Sequence, residues 1–102
     1  MRAAKVDENQ SEIVEAFRRF GFTVQCLHTV GRGVPDLLCG KYGINLLVEV
    51  KTMKGELTPD QKHWHSKWRG DIHIVRNVDD VMAVFNEMTA RKKESDPMDL
   101  QN

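Results

Sequence analysis

The sequence has no apolar run that approaches the ~20 residues a membrane span needs, and its opening MRAAKVDENQ has no apolar core for a secretory signal. A cytoplasmic location is the expectation that follows. Two cysteines, Cys26 and Cys39, are too few for a disulfide framework. They show no zinc-type spacing with His28, His63, His65 or His73, and side chains at i and i+2 diverge on a helix, so His63 and His65 form no chelating pair. Charge of one sign is also missing: 15 Lys and Arg balance 15 Asp and Glu. Recognition of a polyanion through bulk positive charge is therefore excluded, though basic residues gathered on one face are not. With 102 residues there is room for a single core and no separate second domain.

What is present is periodicity. Between Asn9 and Phe20, the residues Ile13, Val14, Phe17 and Phe20 recur at helical spacing, and Gly21 ends the helix. Residues 22 to 30, rich in β-branched and aromatic side chains, read as a strand that ends at the turn Gly31-Arg32-Gly33. Two short apolar runs follow, at residues 35 to 39 and 45 to 51. The Gly-Lys-Tyr-Gly between them is short enough to make them a hairpin. Thr58-Pro59-Asp60-Gln61 starts a helix, with Thr58 as N-cap and Gln61 closing a capping box. That helix carries Gln61, Trp64, His65 and Trp68 on one side and ends near Gly70. A strand over residues 72 to 76 is followed by a helix capped by Asn77 or Asp79, with Val81, Val84, Phe85 and Met88 on its buried stripe. Residues 1–90 read as one domain and residues 91–102 as a charged, disordered tail. The order is helix, three strands, helix, strand, helix, which makes one mixed sheet with helices packed on it.

Chemistry concentrates in Pro35-Asp36 and, after twelve residues, Glu49-Val50-Lys51. In the hairpin, Asp36 and Glu49 fall on neighbouring strands. Alternation puts Leu47, Glu49 and Lys51 on one face, and Leu46, Val48 and Val50 on the other. Glu49 lies in Leu-Leu-Val-Glu-Val-Lys, a nearly continuous apolar run that implies burial on both faces. A carboxylate and an ammonium there are costly without a partner or a metal. A hard cation such as Mg²⁺ takes a few carboxylates and completes its shell with water and substrate phosphate. Asp36, Glu49 and the Val50 carbonyl suit that role, and Lys51 can orient water or stabilise developing negative charge. Such a group can hydrolyse a phosphodiester.

The stretch GVPDLLCGKYGINLLVEVKT resembles the PD-(D/E)XK nuclease superfamily. With ENQSEIVEAFRRFGF before it and LTPDQ after it, the span from about Asn9 to Phe85 is similar to the standalone VRR-Nuc domains of phages and bacteria. The resemblance implies a restriction-endonuclease-like αβββαβ core with an extra C-terminal helix, an α/β fold. It also implies Mg²⁺- or Mn²⁺-dependent cleavage of DNA, association with branched DNA including four-way junctions, and homodimers. It favours a glutamate from the first helix in the site. Glu12, on the border of the apolar stripe, fits better than Glu15, which points away, but a solvated helix face explains Glu12 equally well. Gln61 holds a family position near the active site, and its capping-box role accounts for it as well.

Arg32, Lys41, Lys54 and Lys62, with Lys67 and Arg69, are candidates for phosphate contact, Arg32 first. Trp64, Trp68, Met82, Phe85 and Met88 are candidates for an interface between two copies. The alternative to an enzyme is an inactive nuclease fold that holds nucleic acid without cutting it. Intact Asp36, Glu49 and Lys51 speak against that.

Overall fold

The computed structural model describes residues 9 to 95. The chain forms α1 (Gln10–Arg19), β1 (Thr23–Cys26), β2 (Leu37–Lys41), β3 (Ile44–Val50), α2 (Pro59–Lys67), β4 (Ile72–Val75) and α3 (Val78–Ser95). The strands make one mixed sheet in the order β1-β2-β3-β4, antiparallel at the first two junctions and parallel at the third. The parallel pair needs a crossover connection, and α2 supplies it.

Register divides the sheet into two unlike faces. Leu37 pairs with Val48, Cys39 with Leu46, and Val50 with Val75. These side chains are buried together with Ile13, Val14 and Phe17 of α1 and with Val81, Val84 and Met88 of α3. That is the core. The opposite face carries Leu38, Leu47, Glu49 and Ile74, since Leu38 pairs with Leu47 and Glu49 with Ile74. Helix α2 lies on this second face and contributes no fully buried residue of its own. All five residues from Leu46 to Val50 are buried, as a strand between two neighbours and two layers should be.

The β2–β3 connection is tighter than the four-residue link read from the sequence. Lys41 pairs directly with Ile44, leaving Tyr42 and Gly43 as a two-residue turn, both with positive φ (58° and 75°). That is the pattern of a type I′ turn, whose twist matches the strands. β1, by contrast, stops at Cys26 instead of continuing to Val30. Leu27 N–H still reaches the Asp36 carbonyl (2.7 Å), after which the chain turns away through Gly31, Arg32 and Gly33, with φ values of 73°, 57° and 84°. The segment folds instead through turns closed by Val30 N–H to the Leu27 carbonyl (2.9 Å) and Val34 N–H to the Gly31 carbonyl (3.2 Å).

At the other end, α3 runs to Ser95, five residues into the stretch read as a tail. Arg91, Lys92, Lys93 and Glu94 are good helix formers, and the cations suit the helix C-terminus. The Arg91 guanidinium also donates to Asp71 at 2.7 Å. Residues 96–102 of that expected tail lie outside the described residues. Of the interface candidates, Met88 is taken up by the core, and Phe85 is half-buried. Met88 is 1% exposed in the core, and Phe85 packs on Phe20 with ring centroids 4.9 Å apart. Asn77 is the cap of α3, its Oδ1 accepting from Asp80 N–H at 2.9 Å. Asp79 lies inside the helix.

Two outcomes follow from this packing. Burial, and then the neighbouring Cys26, push the Cys39 thiol up to about 12. Since only the thiolate attacks disulfide reagents, Cys39 of the native protein should resist a thiol reagent at pH 8. Half-buried Cys26 should react first, and two equally fast thiols would contradict this packing. Gly33 combines a left-handed backbone with close contact to α2, where a Cβ would lie 2.7 Å from the Asp60 carbonyl carbon. Gly33→Ala should lower stability in urea titration by about 1–3 kcal/mol, and a neutral substitution would show that the loop can move away from α2.

Candidate active site

Asp36 sits one residue before β2, after the buried Pro35. Its Oδ2 accepts a hydrogen bond from Val50 N–H at 2.8 Å. The carboxylate thereby takes over where the β2–β3 ladder stops, at the pair Leu37–Val48. Asp36 and Glu49 are thus brought together at the open end of the hairpin.

Glu49 is the most unusual residue in the sheet, a carboxylate with 0% exposure on the central strand. Its charge is met from α2. Gln61 Nε2 donates to Glu49 Oε2 at 3.3 Å, and His65 Nε2 lies 3.2 Å from Oε1. Residues 61 and 65 stand one above the other on a helix, so a single helical face serves both oxygens. Burial lowers the His65 pKa, and the positive charge of Lys51 lowers it further. Both effects act against the charged imidazolium, and the Nε2–Oε1 contact is a hydrogen bond between ring and carboxyl group.

The two readings of Gln61 turn out to be compatible. Its backbone N–H donates to Thr58 Oγ1 at 3.2 Å and its Oε1 accepts from Thr58 N–H at 2.9 Å, which closes the capping box. The remaining amide nitrogen reaches Glu49. The cap fixes the side chain that then addresses the strand. His65 was dismissed in the sequence because His63 and His65 cannot chelate one ion. The signal that finds it is a different one: if Gln61 faces the sheet, the residue four positions later must face it too.

Lys51 follows the last residue of β3 and is 8% exposed. Its backbone is held on two sides, by N–H to the Val75 carbonyl (3.0 Å) and by Asn9 Nδ2 to its own carbonyl (3.1 Å). Asn9 also donates to the Arg76 carbonyl at 3.0 Å. Arg76 in turn gathers the following loop, donating to the carbonyls of Thr52 (2.7 Å) and Gly55 (2.6 Å). Neither Asn9 nor Arg76 stands out in the sequence, one standing at a helix start and the other at a strand end.

The other expected residues are scattered. Glu12 is exposed on α1, and it is Asn9 at the start of that helix that touches the site. Arg32 is exposed in the glycine turn, Lys54 in the loop after Lys51, and Lys62 beside Gln61 on α2. Each of these three lies within four residues of a site residue in sequence. Lys41 does not. It lies at the hairpin tip, roughly 17 Å along β2 from Asp36 at ~3.3 Å per residue. There its ammonium sits 4.6 Å from the Tyr42 ring centroid and within 6 Å of Phe22 and Phe85, a cation held by aromatic faces.

Among the described residues, no group of three or more His, Cys, Asp or Glu side chains could hold a metal ion. What Asp36, Glu49 and Val50 offer is a set of hard oxygens. Val50 N–H points to Asp36, and in an extended strand the carbonyl of the same residue leaves on the same edge. A carboxylate has about four acceptor positions, so hydrogen bonds from α2 and coordination of a cation are compatible. Such a donor set fits Mg²⁺ or Mn²⁺ with water completing the shell, and does not fit a thiolate-rich zinc site.

No protein-family model matches the chain, and neither does any curated protein. Among solved structures, one titled "VRR_NUC domain" superposes with a TM-score of 0.64 at 29% sequence identity, covering 76% of this chain and 89% of that one. The mixed four-stranded sheet with helices on both faces is that of a restriction-endonuclease-like core. The chain therefore has the fold of a VRR-Nuc domain, a nuclease-type domain.

Proposed function

We propose that this protein is a divalent-metal-dependent endonuclease that hydrolyses phosphodiester bonds of DNA. One observation carries the reading. A fully buried carboxylate, Glu49, a carboxylate fixed beside it, Asp36, and a nearly buried ammonium, Lys51, share one end of the hairpin. A purely structural role gives no reason to place three charged groups there, since each is costly to bury.

Asp36, Glu49 and the Val50 carbonyl would hold Mg²⁺, or Mn²⁺ in its place. A bound cation would lower the pKa of a water molecule and offset charge on the phosphate. The protein's own groups do the rest. Asp36 is held by Val50 N–H and Glu49 by Gln61 and His65, so both carboxylates are oriented before substrate arrives. Lys51, anchored through its backbone to β4 and Asn9, presents a cation to the nucleophilic water or to charge developing on phosphate oxygens. Arg32, Lys54 and Lys62, exposed and near site residues in sequence, supply phosphate contacts that position any sequence alike.

The finer reading is a homodimer acting on branched DNA such as four-way junctions. Trp68 (47% exposed), Ile74 (42%) and Leu38 (37%) leave apolar surface on the face that α2 covers incompletely, and Trp64 stacks on Trp68 at 4.8 Å. A second copy related by a two-fold axis would cover it and pair two sites for matched cuts. Met82, on α3 beyond the opposite face, does not belong to this patch.

Asp36→Ala, Glu49→Ala and Lys51→Ala should each reduce Mg²⁺-dependent nicking of plasmid DNA by at least ~10²-fold, since lost charge stabilisation costs several kcal/mol. Cleavage by Asp36→Ala at the wild-type rate would remove the catalytic assignment, whereas DNA binding without any cleavage by the wild type would favour an inactive binding module. Sedimentation equilibrium should give a dimer, with junction DNA cut faster than linear duplex. A persistent monomer, or equal rates, reduces the reading to a general nuclease.

A further inference from the structure

We infer that His65 is a positioning residue of this site, a second clamp that fixes the plane of the Glu49 carboxylate for cation binding. The inference rests on the metal-dependent reading above and extends it to a side chain outside the charged group.

The geometry is specific. Glu49 has no exposure, so water cannot orient its carboxylate, and both oxygens are addressed from one helix. One hydrogen bond leaves a carboxylate free to swing about that contact. Two, to different oxygens, fix its plane. Gln61 provides the first at 3.3 Å and His65 the second at 3.2 Å. The chemical nature of the donors matters as much as their placement. An arginine or lysine here would cancel the negative charge and compete with a cation for it. An amide orients the carboxylate without adding charge, and an imidazole does so through a single ring nitrogen. Outer partners of this kind set the direction of a ligand without touching the ion.

His65 also has a shape argument in its favour. It is 14% exposed, on a helix with no fully buried residue, so its side chain is not there to fill the core. Its ring nitrogen farthest from the backbone makes the contact. Glutamine places an amide nitrogen at a similar reach from the backbone as Nε2, while asparagine reaches only as far as Nδ1. That difference separates a hydrogen-bonding role from a packing role.

The test is Mn²⁺ binding to the full chain, followed by calorimetry and by the loss of the free-ion electron paramagnetic resonance signal. Asp36→Ala serves as the variant without a site, and thermal melting reports folding. His65→Ala and His65→Asn should raise the Mn²⁺ dissociation constant by about 10–100-fold, the usual effect of removing an outer partner. His65→Gln should bind close to wild type. Wild-type affinity in His65→Ala overturns the inference and leaves the nuclease reading standing. Equal weakening in all three variants also overturns it, because the residue would then act through its ring volume. If His65→Ala fails to fold, the comparison of Gln with Asn decides. Absence of Mn²⁺ binding by the wild type removes both readings, and does so before any His65 variant is measured.

Discussion

A carboxylate on the central strand of the sheet, sealed from solvent, is the constraint on which the rest of this structure depends. Burying Glu49 without partners would be expensive enough to disfavour the fold. The protein answers by placing α2 over that face with two hydrogen-bonding side chains one turn apart. Several local features then become necessary. The capping box must hold Gln61 in one rotamer. The Gly33 turn must lie close against the first turn of α2. β4 must return parallel to β3, because the crossover is the segment that carries the donors.

The same organisation explains how the charged group is kept in register. Asp36 is tied to the backbone of β3 and not to another side chain, so its position follows the hairpin. Lys51 is located by main-chain contacts from β4 and from the start of α1, while Arg76 folds the loop beyond it. Three segments far apart in sequence therefore meet on one residue. The candidate site is rigid where the backbone defines it and depends on α2 where side chains do.

Much of this was legible in the sequence. The helix order, the hairpin, the Thr58 cap, and Asp36, Glu49 and Lys51 as one group follow from spacing and alternation. Those signals are local, and local signals survive into the fold. What was not legible is long-range. Nothing in the sequence distinguishes Arg76, which orders a distant loop, from an ordinary strand-end arginine. Lys41 looked like its basic neighbours until the register put it at the hairpin tip among aromatic rings. Met88 looked like surplus apolar surface, because the sequence does not say how much core α1 and α3 share. His65 was missed for a different reason. Spacing to His63 says nothing of it, because its partner Glu49 lies across the helix–sheet boundary.

The parallel pairing of β3 with β4 has a kinetic side. The β2–β3 hairpin, closed by Tyr42 and Gly43, is a local element of the kind that zips in microseconds, whereas β4 can add only after a loop of some twenty residues has closed around α2. During that interval Glu49 stands at the edge of an unfinished sheet with its charge still hydrated. Burial of the carboxylate needs both α2, which supplies Gln61 and His65, and β4, which flanks β3. The surroundings of Glu49 are therefore complete only when α2 and β4 are both in place.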